Sequence, residues 1–154
     1  MLVFSSLLLL HLLCATFWVG GMATLHFIVR PAAVLTLAPP QRLPLMAEAL
    51  RRFLDALVIV VAIEWVSGLW MIEVAGGLAV VHRSVHLMLS LGLVMTVIFA
   101  VVRWRLLPRL QRAVSAQAWP EAGRQLVIIR SWVGLNLGLG VLVFGVAMLG
   151  RVLL

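Results

Sequence analysis

Long apolar runs alternate with short, arginine-bearing connections along this chain. Leu2 to Val29 carries no Arg, Asp or Glu. Leu54 to Ile72 is apolar apart from Asp55 near its start and Glu64 at its middle. Ser84 to Val102 has no formal charge, and neither has Ser131 to Gly150, which contains Asn136. A hydrocarbon core ~30 Å thick needs about 20 apolar residues in a helix. The pattern therefore predicts four transmembrane helices, over about residues 2–29, 54–75, 82–102 and 127–150. A spanning sheet would have to close into a barrel of alternating polarity, and these runs do not alternate. The expected architecture is all-α, a four-helix integral membrane bundle forming a single transmembrane domain over 1–154. The first run does not read as a signal peptide, because it lacks a basic n-region and its apolar stretch is too long.

Composition agrees. Hydrophobic residues make up 64% of the chain and charged residues 11%, against roughly 45–50% apolar in a soluble domain. The lone cysteine, Cys14, excludes an internal disulfide and a cysteine-based zinc site. The formal charge of +7 comes entirely from arginine on the basic side, since there is no lysine. These arginines sit beside apolar runs, so the partner they imply is a lipid bilayer and not nucleic acid.

The arginines also orient the chain. Arg30, Arg42, Arg51 and Arg52 lie in the first connection, and six more lie between Arg103 and Arg130. Only Arg83 and Arg151 fall on the other side. The positive-inside rule then puts both termini and the 73–83 loop outside, on the periplasmic face of a bacterial inner membrane, with the protein multi-pass. Pro39-Pro40 and Pro44 punctuate the first connection, and Met46 to Phe53 reads as a helix leading into the second span. Pro108 is expected to end the third span. Pro120 and Glu121 have the character of a helix opening.

Direction converts position into depth. His11 lies about nine residues into the first span, or ~13 Å at 1.5 Å per residue. His86 lies a few residues into the third span, and His82 sits at its mouth. His26 falls at the inner end of span one. A histidine deep in an uncharged span should face the bundle interior and have a partner, which singles out His11. His82 and His26 read as interface residues. Imidazoles on two helices, His11 and His86, suit copper or haem iron. Met71, Met88, Met95 and Met148 could add thioethers for Cu(I), although methionine is also ordinary packing material. Cys14 is one turn from His11 and reads as an inert buried thiol. Glu64, at mid-span, is a candidate proton relay, a partner for His11, a group that helps bind a cation, or a structural hydrogen-bonding group toward Asn136 or Thr96. Gly134 and Gly138, and the glycines of "WVGGM", mark close helix contacts, with Asn136 placed to bond across helices. No phosphate loop, nucleophile triad or HExxH motif is present.

In order, "LHLLCATFWVGGM" (Leu10 to Met22), "RPAA" (Arg30 to Ala33), "RRF" (Arg51 to Phe53), "VHLML" (Val85 to Leu89) and "GLNLGLG" (Gly134 to Gly140) resemble the small CopD-like membrane proteins. The resemblance spans essentially the whole chain. It implies copper uptake or resistance at the inner membrane, with His11, His86 and Met88 as metal ligands and a homo-oligomer or a periplasmic copper carrier as candidate partner. A more distant similarity runs to the HemJ-type four-helix proteins that bind haem b. His11, Trp18, Gly21 and His86 fall at their pattern, but Met88 stands where that pattern has lysine. That alternative implies a haem-dependent oxidoreductase with His11 and His86 holding the cofactor, whereas the copper reading implies no enzyme. A cofactor-free membrane assembly subunit is a third class.

Overall fold

Each long helix runs past its apolar stretch, and two prolines show how. A proline lacks an N–H and its ring crowds the carbonyl four residues back. In this computed structural model, which describes residues 2–153, the chain meets that problem twice by widening and not by breaking. Helix α1 (Leu2–Thr24) passes into a π-helical turn, π1 (Leu25–Val29), and then α2 (Arg30–Thr36). The Arg30 N–H, just before Pro31, reaches back five residues to the Leu25 carbonyl. Helix α4 (Arg83–Val101) likewise passes through π2 (Val102–Leu106) into α5 (Leu107–Ser115). There the Leu107 N–H, just before Pro108, bonds the Val102 carbonyl. Pro108 therefore does not end the third span, contrary to the sequence expectation. Residues 83–115 form a continuous helix with a widened turn.

The other two long helices are α3 (Pro39–Val74) and α6 (Trp119–Leu153). Pro39 and Pro40 occupy the first turn of α3, where a missing N–H costs nothing. The helical segment foreseen at Met46–Phe53 is the middle of this longer helix. Connections between the long helices are short. At the end of α3, Gly76 and Gly77 take left-handed backbone (φ 104° and 92°), and the Gly77 N–H closes on the Ile72 carbonyl. Gln117, at φ 53°, serves the same turn after α5, with Ala118 N–H bonding the Ala113 carbonyl.

All four long helices are apolar enough to cross a membrane. Within each spanning stretch at most 22% of residues are buried, and Leu9, Leu13, Ile59, Val66, Leu93 and Leu135 point outward. In lipid such outward apolar surface is solvated, so the bundle needs only a narrow interior. Helix α1 packs chiefly on α3, and α4 on α6, while α5 closes the arginine-rich end against α3 and α6. Most of the core lies toward that end, around Leu54, Leu57, Phe99, Val102, Leu107 and Ile129. Nearer the termini burial is sparse, limited to residues such as Cys14, Ser67, Ile72 and Ser84.

Acidic residues at the arginine-rich end are spoken for. Glu48 pairs with Arg51 and Arg52 at 2.7 Å. Asp55 joins Arg51 at 2.9 Å and, across to π2, Arg103 at 2.6 Å. Glu121 pairs with Arg124 and accepts from Gln125.

Glycine contacts differ in detail from expectation. A Cβ on Gly21 would meet the Phe53 ring at 2.2 Å, and one on Gly140 would meet Val19 at 2.6 Å. At Gly138 nothing approaches within 4 Å. Of the two glycines expected to pack closely, Gly134 does so, with an ideal Cβ 3.4 Å from His26 Cε1, while Gly138 does not; the tightest approach of α6 is at Gly140.

Candidate functional site: a histidine–glutamate pair inside the bundle

On α3, Glu64, Ser67 and Gly68 fall on one face, because positions three and four apart adjoin on a helix. That face is turned toward α1 and receives His11. The His11 Nδ1 lies 3.0 Å from Ser67 Oγ and 3.2 Å from the Glu64 carbonyl oxygen. Its Nε2 lies 3.2 Å from Glu64 Oε1. Gly68 supplies the room, since a Cβ there would stand 3.0 Å from His11 Cε1. Of the two side chains Glu64 is the more covered, at 16% exposure against 30% for His11.

The hydrogen-bond pattern sets the tautomer. Ser67 donates its one hydroxyl proton to the Ile63 carbonyl at 2.7 Å, the usual bond of a helical serine. Ser67 Oγ is then an acceptor toward His11, and a carbonyl oxygen can only accept. Nδ1 must carry a hydrogen. A single proton is left for the contact between Nε2 and Oε1, and it belongs either to the carboxyl or to the imidazole. The second carboxyl oxygen, Glu64 Oε2, is buried with no hydrogen-bond partner. The site is thus a one-proton pair with a spare acceptor, set among apolar side chains where charge interactions are strong. Cys14 is buried one turn along α1.

The remaining candidates are dispersed. His86 is exposed on α4, and Met88, two residues on and turned to the other side of the helix, is half-buried. No hydrogen bond or ion pair links His86 to His11, whose helix packs on α3 while α4 packs on α6. His82 caps α4: its Nδ1 accepts from the Ser84 N–H at 3.3 Å and faces the Ser84 hydroxyl at 3.0 Å. His26 lines a cavity at the arginine-rich end. Among the described residues, no group of three or more His, Cys, Asp and Glu is arranged to hold a metal ion.

Sequence reasoning named Glu64 as a partner for His11 but overlooked Ser67 and Gly68. Their signal was available in the string "EWVSG", where positions 64, 67 and 68 share a face. Thr96 instead accepts from Trp65 Nε1 at 2.9 Å. Among the described residues Asn136 has no hydrogen-bond partner on another helix. It is buried with Oδ1 unpartnered, and it lines an apolar cavity together with Trp18, whose Nε1 is also unpartnered.

Four spanning helices with an ionisable pair inside them define a polytopic membrane protein built around a polar centre. The family model for copper resistance protein D, CopD, matches residues 47–149, and the chain belongs to that family. The matched stretch contains Glu64, Ser67, Gly68, His86 and Met88 and leaves out α1 with His11. No curated protein and no solved structure matches the chain.

Proposed function

We propose that this protein handles copper, in uptake or resistance, and that the His11–Glu64 pair is where the ion is held on its way through the bundle. The observation that carries the reading is the 3.2 Å separation of His11 Nε2 and Glu64 Oε1 inside a membrane-spanning bundle. With bonds of ~2.0–2.1 Å to nitrogen and oxygen, an ion touching both atoms subtends an angle of roughly 100°, an opening wide enough for two adjacent ligands of one ion. The pair fits an ion with little movement. Glu64 Oε2 is free to strengthen the contact. An imidazole-plus-carboxylate set favours Cu(II), and thioethers favour Cu(I).

Copper replaces the one proton shared by Nε2 and Oε1, so binding at the pair releases a single proton per ion. This gives Glu64 the proton-relay role. His86, exposed near the start of α4, is a candidate for first contact with the ion, separate from the His11–Glu64 pair. The arginine distribution supports reading this end as the outer face of an inner membrane.

The test combines metal analysis of the purified chain with proton release in weak buffer during copper titration. Wild type is expected to bind about one copper and release about one proton per ion, from the one-proton pairing. Glu64→Gln should lose the proton release, and His11→Ala the binding itself. Copper held equally well by both variants refutes the reading. So does a Soret band in protein expressed with haem that vanishes on His11→Ala, which would assign haem b to the histidines instead.

A further inference from the structure

The arginine-rich end contains a second convergence of polar groups, on residues to which the copper reading gives no role. Four arginines there are matched to carboxylates: Arg51, Arg52, Arg103 and Arg124. Arg30 and Arg130 have no ion pair or hydrogen-bonded partner among the described residues. They nonetheless line one cavity, Arg30 from the start of α2 and Arg130 from α6. His26 lines it too. His26 and Arg30 are four residues apart across π1, so they share a face, and the widened turn before Pro31 sets where that face points. The His26 ring rests over Gly134 of α6, whose missing Cβ lets the helices approach; an ideal Cβ would be 3.4 Å from Cε1. Below these groups the walls are apolar, with Leu50, Ile129 and Val133 among them.

Arg30 is half-buried and Arg130 exposed, so their stems line the cavity while their guanidiniums, unpaired with any carboxylate among the described residues, are left to meet an anion at its rim. Guanidinium forks match phosphate oxygens with paired, charge-assisted hydrogen bonds. An imidazole adds a third donor. An apolar floor beneath a cationic mouth, at the depth where a bilayer's headgroups meet its acyl chains, suits an amphiphilic phosphate, and basic pockets between transmembrane helices take anionic headgroups. We propose that Arg30, Arg130 and His26 form a binding site for a phosphate group at the arginine-rich end of the bundle. An anionic lipid headgroup and free inorganic phosphate offer this chemistry alike. The site joins α2 to α6, so its occupant clamps the helix carrying His11 to the last helix.

The experiment uses the full chain in detergent, titrated with short-chain phosphatidylglycerol and followed by thermal stability and native mass spectrometry. Removing a guanidinium's charged hydrogen bonds should weaken binding roughly tenfold per arginine. Arg30→Gln/Arg130→Gln should therefore lose the lipid's stabilising effect. Arg42→Gln, an arginine at the same end that does not line the cavity, should keep it. Should the glutamine variant fold poorly, Arg30→Lys/Arg130→Lys preserves charge and is expected to bind within about tenfold of wild type. Displacement of the lipid by millimolar inorganic phosphate assigns the site to the free anion, and resistance to displacement assigns it to the headgroup. Equal phosphatidylglycerol binding by wild type and the glutamine variant overturns the proposal, as does an equal loss in Arg42→Gln. Lysine variants that fold but bind no better than glutamine also overturn it. Copper binding is independent of all these arms.

Discussion

If His11 and Glu64 share one proton and one contact, their substitutions must be strongly non-additive. Replacing His11 by alanine removes a hydrogen bond that involves a charged or proton-sharing group, worth about 1.5–3 kcal/mol, and leaves a covered carboxyl with neither oxygen partnered, a further penalty of about 1–3 kcal/mol. Partial exposure of the pair, 30% for His11 and 16% for Glu64, places the total toward the low end, about 2–3 kcal/mol. Glu64→Gln is milder. The amide is nearly isosteric and can donate to His11 Nε2, so a neutral hydrogen bond replaces the original at a cost of about 1 kcal/mol. In the double variant the glutamine no longer presents an acid without a partner, and its loss on top of His11→Ala should be close to nil. A double-mutant cycle, read by equilibrium unfolding of the chain in mixed micelles, should therefore give a coupling energy of about 1–2 kcal/mol. Ser67→Ala provides an internal contrast. Ser67 Oγ touches the same imidazole at 3.0 Å, but its loss leaves the Glu64 contact in place. A His11–Glu64 coupling below about 0.5 kcal/mol, within ordinary additivity, would refute the one-proton pair and the role given to it in copper binding.

Gly68→Ala puts a methyl group 3.0 Å from His11 Cε1, so the ring must move by a few tenths of an ångström. The fold should survive, with copper affinity falling several-fold while Gly92→Ala, which meets nothing within 4 Å, leaves it unchanged; equilibrium dialysis distinguishes the two. Asn136→Leu removes a buried, unpartnered carbonyl from an apolar cavity. Since an unsatisfied buried group costs about 1–3 kcal/mol, the substitution should be neutral or stabilising by up to about 1 kcal/mol in the same unfolding assay, and a marked loss of stability would mean that Asn136 has a polar partner in the membrane.

The four helices and their membrane character were legible in the sequence because hydrophobic length is a local property. A run of about twenty apolar residues has few other solutions in a chain this poor in charge. Depth was legible too, at 1.5 Å per residue, and it made His11 and Glu64 conspicuous as polar groups at similar levels on different helices. Some local chemistry carried further than expected: the residues before Pro31 and Pro108 form π turns that keep their helices going, where a sequence rule would stop them. Angle around the helix axis and the order of helices in the bundle are another matter. They depend on which faces pack best together, and no local pattern states this for helices apolar on nearly every side. His11 and His86 look equivalent in depth, yet the structure turns His11 onto α3 and leaves His86 exposed on α4. Gly68 and Ser67 acquire meaning only when α1 lies against them. In the same way, Arg30 and Arg130 are a hundred residues apart and unremarkable among twelve arginines until π1 and α6 bring them to one cavity. The sequence determined that this chain lives in a membrane and how deep its polar groups lie; tertiary packing alone decided which of them meet.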